Sequence, residues 1–418
     1  MAENVAKILV AGGGISGITV ALEAAEAGYE VILVEKSPTL GGRVAALHQY
    51  FPKLCPPTCG LEVNYRRLRP NPRIQVLTNS EIQAVTGEAG NFRVTVRTLP
   101  TYVNERCVLC DKCAQACPVE IPSELNFGMN STRAVHLPHR LAYPPRYFVQ
   151  RAHCPAGCAL CVEACGYGAI DLAMEARESE FAVGSLVLAT GWKPYDAAKL
   201  ANLGFSAIPD VITNVMMERL AAPDGPTGGK IQRPSDGKAV GSVAFVQCAG
   251  SRDEEHLPYC SSICCLASLK QARYVRAAHP DAQVTIFYID IRTPGKYEAF
   301  FAETRADPGI ALVKGKVAKV TPGDGGLVRV EAEDILRGGK IRMDVDLVVL
   351  ATGMQPNLAA NGLAGQVIPL DENGFAAPQL QRPGIFAAGV AKTPLDVNSS
   401  IQDATGAALH AIQTVVGG

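Results

Sequence analysis

The chain opens with an apolar run, Lys7-Ile-Leu-Val-Ala, then a glycine-rich break, a stretch of small and aliphatic residues, and a second apolar run, Glu30-Val-Ile-Leu-Val. Short uninterrupted apolar runs suit strands buried on both faces, and the stretch between them has the length of a helix. The pattern predicts strand, tight turn, helix, strand. Alternation follows in IQAVTGEAGNFRVTVRT, with glycine at its centre, and predicts a β-hairpin. Two further runs, LVLATG ending at Gly191 and LVVLATG ending at Gly353, each read as a buried strand closed by A-T-G. From about residue 239, GSVAFVQ, CLASLKQARYVRAA and QVTIFYIDI repeat the strand–turn–helix–strand order. PGIFAAG, ending at Gly389, reads as a last strand, and the segment from Ser399 as a capped helix. Residues 222–239, APDGPTGGKIQRPSDGKA, have the composition of a linker, mobile or partner-facing.

The first turn carries chemistry. Gly12, Gly14 and Gly17 form G-x-G-x-x-G between strand and helix, with Glu35 at the end of the second strand. Gly12 permits the turn, Gly14 lets backbone approach a pyrophosphate, and Gly17 allows close helix–strand packing. Glu35 is placed to accept hydrogen bonds from ribose hydroxyls. These features together predict a dinucleotide.

Composition narrows the class. The chain has 418 residues, 48% of them hydrophobic and 19% charged, and a net charge of −1. Such a balance makes no electrostatic case for nucleic acid or for an anionic membrane surface. No apolar run approaches the ~20 residues of a membrane span, and the first strand begins too early for a signal peptide. The expectation is a cytoplasmic protein whose contact with any membrane is indirect. Fourteen cysteines in such a chain point to metal or redox chemistry rather than to a disulfide framework. The seven histidines form no ligand pattern, and His136 and His139 are expected at the surface or an interface.

Twelve cysteines fall into three groups. Cys107-x-x-Cys110-x-x-Cys113-x-x-x-Cys117-Pro118 is a bacterial ferredoxin run. Cys154-x-x-x-Cys158-x-x-Cys161-x-x-x-Cys165 is its near copy, with one extra residue in the first gap and Gly166 in place of proline. In two-cluster ferredoxins the fourth cysteine of each run ligates the other cluster. That rule groups Cys107, Cys110 and Cys113 with Cys165, and Cys154, Cys158 and Cys161 with Cys117. Zinc is the competing reading, because paired cysteine runs also suit a tetrahedral ion.

The third group lies where the second strand–turn–helix should hold its glycines. CAGSRDEEHLPYCSSICC places Cys248 at the strand end and Cys260, Cys264 and Cys265 before the helix, with Gly250 as its single glycine. Four thiolates at a helix start suit a 4Fe–4S cluster, which backbone N–H groups would stabilise. Reactive redox cysteines and inert buried cysteines are the alternatives. Cys55 and Cys59 stand apart, with redox, partner-facing and structural roles all open.

The order of these elements resembles that of thioredoxin-reductase-like flavoproteins, with Gly41-Gly42-Arg43 along the FAD pyrophosphate and Gly389 beside the ribityl chain. Those proteins usually carry an acid after that last glycine. Here Val390 stands there, leaving Asp396 or Asn398 as the expected substitutes. The Cys248-Ala-Gly-Ser-Arg-Asp segment, Cys260-Ser-Ser-Ile-Cys264-Cys265, Lys270 and the ferredoxin insert resemble the A-subunit flavoproteins of heterodisulfide reductases. FPKLCPPTCGLEVNYRR is most similar to the branch found in quinone-interacting membrane-bound oxidoreductase complexes of sulfate reducers.

The resemblance implies an α/β, thioredoxin-reductase-like flavoprotein with two dinucleotide-binding-type domains and an inserted two-cluster ferredoxin-like domain. The FAD domain is expected at 1–98, 181–238 (with a linker) and 346–418, the insert at 99–180, and the second nucleotide-like module at 239–345. FAD and three 4Fe–4S clusters are the implied cofactors. The flavin set would comprise Gly12, Gly14, Ile15, Ser16, Gly17, Glu35, Lys36, Gly42, Arg43, Ala189, Thr190, Gly191, Gly353, Gly389, Ser400 and Ile401. No residue is assigned to acid–base catalysis. Implied partners are adenylylsulfate reductase, a related flavin and iron–sulfur subunit, and a haem-bearing membrane subunit. The implied location is peripheral, on the cytoplasmic face of the inner membrane. Electrons would pass between menaquinone and the reductase, with a stand-alone NAD(P)H oxidoreductase or a scaffold with structural FAD as alternatives.

Overall fold

The computed structural model describes residues 5–361, 367–377 and 382–417. The chain divides into two compact units, one built from residues up to Ala46, Thr58–Trp192 and Pro356 onward, the other from Leu47–Pro57 and Lys193–Gln355.

In the first unit, five parallel strands lie in the order Ile385–Ala387, Ser185–Leu188, Lys7–Ala11, Glu30–Val34, Ile74–Leu77. Val10 is in register with Val187 on one side and Leu33 on the other, so the opening apolar run sits at the centre, covered on both faces. The helix Ile15–Glu26 covers one face together with Val397–Val416. A three-stranded antiparallel sheet, Arg177–Val183, Asn91–Thr98, Ser80–Glu88, supplies Phe92, Val94 and Val96 to a core shared with Leu9, Ile32 and Leu186.

The ferredoxin-like insert hangs from this antiparallel sheet. Asn91–Thr98 leads into it and Arg177–Val183 leads out, with Thr98 paired to Arg177, so the ends of the insertion are adjacent. Its small core contains Val103, Ile121, Val135, Tyr147 and Ile170 together with Cys113, Cys117 and Cys161. A domain of this size with so few aliphatic side chains gains from a metal staple.

In the second unit the parallel order is Val211–Thr213, Leu347–Thr352, Ser242–Ala249, Gln283–Tyr288, Ile310–Lys314. Helices Asn214–Ala221, Cys264–Ala278 and Tyr297–Arg305 supply the core on one face, and the antiparallel strands Val317–Pro322, Val328–Glu333 and Lys340–Val345 supply it on the other.

The units differ from the expected boundaries. Residues 193–238 and 346–355, expected in the flavin domain, contain Val211–Thr213 and Leu347–Thr352, which pair within the second sheet. Similar A-T-G endings conceal that the two strands close different sheets. Residues 47–57 also belong to the second unit. There His48 N–H donates to Glu218 Oε2 at 3.0 Å, and Lys270 Nζ donates to the Gln49 carbonyl at 2.7 Å. The expected linker is anchored as well. Arg233, nearly fully buried, pairs with Asp210 at 3.3 Å, and Ser235 Oγ donates to Asp210 at 2.6 Å.

Candidate functional site

Two kinds of cradle emerge, one of glycines in the first unit and three of cysteines. At the first turn Gly12 has φ +110°, and a side chain there would lie 2.2 Å from the Ala189 carbonyl oxygen. A Cβ at Gly17 would meet the Gly12 carbonyl oxygen at 1.7 Å, so helix and turn touch only because Gly17 has none. The second glycine patch folds onto the first. Gly41 N–H donates to the Gly13 carbonyl at 2.8 Å, and a Cβ on Gly42 would lie 2.9 Å from Gly14 Cα. Ile15 and Ser16 begin the helix, with Gly14 as an N-cap that offers no side chain to its N–H groups. Those donors face a ligand rather than a capping oxygen.

Glu35 is buried, with Oε2 accepting from Gly13 N–H at 2.5 Å and Oε1 from Ser37 N–H at 2.7 Å. Burial pushes its carboxyl above the ordinary range, and the Ser37 and Gly13 N–H groups oppose that shift. Arg43 donates to the Trp192 carbonyl at 3.2 Å and lies over the rings of Trp192 and Phe127. Among the described residues no carboxylate pairs with it, and burial lowers its basicity. A partly buried guanidinium in that setting suits a phosphate. Thr190 Oγ1 is buried without a hydrogen-bond partner, an acceptor and donor for a ligand edge. Its backbone is fixed by Asn357, whose side-chain amide donates to Thr190 O and whose N–H donates to Gly191 O, both at 3.0 Å.

At the other rim, Gly389 has φ +62° and packs on Ser16, with Ser400 beside it. Asp396 caps the long helix, accepting from Ser399 N–H at 2.7 Å, and so is committed to the helix end. The acid at the Gly389 turn is instead Asp403, which accepts from Gly389 N–H at 2.7 Å and pairs with Lys392. Sequence reasoning missed Asp403. Its only signal is an acid in the second turn of a helix that follows a glycine-ended strand. Ile401 is partly exposed near the helix start.

Two expected flavin residues are not brought to this cradle. Lys36 is exposed and pairs with Glu81 at 2.7 Å. Gly353 lies in the second unit, where a Cβ would meet Ser251 Oγ at 2.3 Å and Ser261 Oγ at 2.7 Å. It packs under the cysteine-rich turn because its strand belongs to the second sheet. His139, expected at the surface, is buried, with Nε2 2.9 Å from the Leu40 carbonyl oxygen.

Among the cysteines, Cys107, Cys110, Cys113 and Cys165 line one void of about 330 Å³, with Asp111 and Tyr147 in its wall. Burial raises Cys113 to about 11, with Cys107 and Cys165 adding like-charge repulsion. Cys165 runs the other way. Burial opposes its ionisation, but the N–H groups of Ala169, Tyr167, Ile170 and Gly168 outweigh burial and hold the thiol below its usual value. Cys161 is raised by burial and by Cys154 and Cys117, so the second run shares its neighbourhood with the fourth cysteine of the first. Cys158 sits on the loop before the short helix Leu160–Glu163, its carbonyl held by Arg151 at 3.1 Å.

Cys248, Cys260, Cys264 and Cys265 line a second void of about 310 Å³ with Arg252, Asp290 and Arg292. Three non-glycine residues of the turn, Cys248 (φ +54°), Arg252 (φ +56°) and Ser262 (φ +60°), are left-handed. Each such residue costs about 1–3 kcal/mol, a strain that marks functional loops. Cys264 and Cys265 occupy the first turn of the helix Cys264–Ala278, which has no side-chain N-cap. Burial raises Cys248 to about 11 and Cys264 well above its ordinary value, and the neighbouring thiols push both further. Four such thiolates need positive charge between them. Arg252, 2.8 Å from Asp290, supplies part of it at the rim, and a cationic iron core fits the rest.

Among the described residues, no three His, Cys, Asp or Glu converge as a single-ion site. The thiols stand around voids, the spacing a polynuclear core requires. Cys55 and Cys59 fall in different units, Cys55 half-buried and Cys59 exposed on the helix Thr58–Leu68.

Comparison with known proteins completes the picture. Residues 7–97 match the FAD dependent oxidoreductase family. Over 420 residues the chain is 38% identical to the A subunit of the ferredoxin/F(420)H(2)-dependent CoB-CoM heterodisulfide reductase of Methanosarcina acetivorans, covering 97% of this chain and 53% of that protein. The chain is a flavoprotein of the heterodisulfide reductase A-subunit type. It is also 36% identical over 426 residues to the A subunit of the H(2):CoB-CoM heterodisulfide,ferredoxin reductase of Methanothermobacter marburgensis, covering 99% of this chain and 64% of that one. This A-subunit-like chain thus spans between about half and two thirds of those relatives' length. Among solved structures, T. acidophilum thioredoxin reductase aligns with a TM-score of 0.52 at 14% identity, covering 99% of this chain and 100% of that one. Bacillithiol disulfide reductase of Bacillus cereus gives 0.52 at 14%, covering 98% of each. Those two likenesses carry the thioredoxin-reductase-like fold. FAD and iron–sulfur chemistry follow from the family match and from the A-subunit relatives, one of which, at 37% identity, is named an iron–sulfur protein.

Proposed function

We infer that this A-subunit-like chain is an electron relay that works inside a larger oxidoreductase assembly. Bound FAD would convert between two-electron and one-electron traffic, and thiolate-held clusters would carry single electrons. The chain's own residues hold and insulate these carriers. Gly12, Gly14, Gly17, Gly42 and Arg43 would seat the pyrophosphate, Glu35 the ribose, and Thr190, Gly389 and Asp403 the far rim. The three cysteine groups would each hold one 4Fe–4S core, with the fourth ligands of the two ferredoxin-type runs exchanged.

The observation that carries this reading is the turn from Cys248 to Cys265. It stands on the strand Ser242–Ala249 and the helix Cys264–Ala278, where a nicotinamide-binding domain keeps its glycine loop, and here four thiols line the void. Anaerobic titration with NADH and NADPH tests it. The expected result is no rapid flavin bleaching. Stoichiometric bleaching would favour the stand-alone NAD(P)H oxidoreductase, and clusters reduced beside a flavin that stays oxidised would favour a structural FAD.

The finer reading is a relay between the menaquinone pool and adenylylsulfate reductase. It would work at the cytoplasmic face with two partners, a related flavin protein and a haem-bearing membrane protein. What supports it is the segment from Phe51 to Arg67, similar to that branch. Among the described residues no helix is long and apolar enough to cross a membrane, so any membrane contact by such helices would come from partners. Co-purification with a haem protein, and reduction of this chain by a menaquinol analogue only in that protein's presence, would test this.

A further inference from the structure

The two ferredoxin-type cradles are not chemical twins. Asp111 lies between Cys110 and Cys113 with φ +63°, and Leu109 beside it has φ +58°. Left-handed non-glycine residues persist only where the surroundings over-determine them. Asp111 precedes the short helix Lys112–Ala116 but does not cap it. Its carboxylate is held from the side: Oδ1 accepts from Tyr147 OH at 2.6 Å, and Oδ2 accepts from Gln115 Nε2 at 3.1 Å. Tyr147 is 8% exposed, packed with Cys113 and Cys117 in the core of the insert, and it lines the same void as Cys107, Cys110, Cys113 and Cys165. It comes from the arm between the two cysteine runs, a part of the chain that their spacing does not specify. In the second run the matching residue, between Cys158 and Leu160, is Ala159, with φ −137° and no side chain able to accept such a bond.

Building on the cluster assignment above, we propose that Tyr147 and Asp111 are positioning residues that lock the Cys107/Cys110/Cys113/Cys165 cradle and make its cluster electrically distinct from its neighbour. The lock fixes the backbone that presents Cys110 and Cys113. It also keeps a carboxylate in the cradle wall, which disfavours the more negative, reduced state of that cluster. The resulting order places the locked cluster at the lower potential, and the unlocked one becomes the resting place of the electron.

Asp111→Asn and Tyr147→Phe in the full chain separate these effects. Asparagine tolerates the left-handed conformation and still accepts from Tyr147. Asp111→Asn is therefore expected to keep both ferredoxin-type clusters. In an anaerobic redox titration followed by electron paramagnetic resonance, it should raise one cluster's reduced-to-oxidised ratio about tenfold at fixed ambient potential, ~59 mV for a one-electron couple. Tyr147→Phe is expected to speed chelator-driven loss of iron from that same cluster by about tenfold, as for loss of a hydrogen bond to a charged group, leaving the other cluster's potential unchanged. Gln115→Leu, which frees the other carboxylate oxygen, should shift the same signal by less and serves if Tyr147→Phe fails to fold. Potentials and loss rates within twofold of the wild type, or equal shifts in both clusters, would overturn the lock alone. Wild-type protein with no iron in the insert would overturn the cluster assignment and the lock together.

Discussion

Asp403 accepts the Gly389 N–H at 2.7 Å and holds Lys392 on its other oxygen, so an acid fourteen residues downstream fixes a turn whose own next residue is Val390. A hydrogen bond to a charged group of this kind contributes about 1.5–3 kcal/mol. Asp403→Ala should lower FAD affinity by roughly tenfold or more, measured by flavin release on dilution. Asp403→Asn, which still accepts from the Gly389 N–H, should recover much of the loss.

Glu35 gives a pH dependence with two opposite signs. Its folded value is raised by burial, so in the apoprotein its contribution to stability is present at low pH and lost as pH rises through that raised value. FAD binding runs the other way, because only the ionised carboxylate accepts from both ribose hydroxyls. Flavin fluorescence should show release on acidification beginning above the ordinary glutamate range. Glu35→Gln should weaken binding at neutral pH and flatten the profile.

Lys270 and Glu218 form a buried pair at 2.9 Å, each almost fully covered, with Gln271 and Tyr274 also donating to the carboxylate. Lys270→Met strands a buried charge, at a cost of about 3–5 kcal/mol. The thermal midpoint should fall. The double variant Lys270→Met/Glu218→Gln should regain part of it, a coupling that a double-mutant cycle reads directly.

Much of this was legible in the chain because close packing leaves plain marks. Gly12, Gly14 and Gly17 stand where backbone must touch backbone, and the alternation of the hairpin reports one buried face. The cysteine spacings likewise report a shared ligand set, because the cradle of Cys107, Cys110 and Cys113 takes its fourth thiol from the other run. What stayed hidden was long-range. LVLATG and LVVLATG look alike but close different sheets, since partner strands are chosen by tertiary packing. The composition of residues 222–239 suggests a loose linker, yet Arg233 is fixed by Asp210, 23 residues away in sequence. Tyr147, Asp290 and Arg292 reach their cradles from segments with no motif of their own, so only folding reveals them.

Cys260 offers a selective probe of the third cradle. Its sulfur accepts from Ser262 N–H at 3.4 Å on a loop held in left-handed conformations, and no other cysteine lies near enough in the turn's sequence to replace it. Cys260→Ser should remove or convert one cluster, lowering iron by up to about four per chain, while flavin content stays near that of the wild type.

The central claim is that the cysteine-rich turn holds a cluster in place of a nucleotide. Iron, acid-labile sulfide and FAD measured together on anaerobically purified protein test it most directly. The account predicts about twelve iron and twelve sulfide per FAD, whereas about eight of each would leave the Cys248–Cys265 turn without a cluster and contradict it.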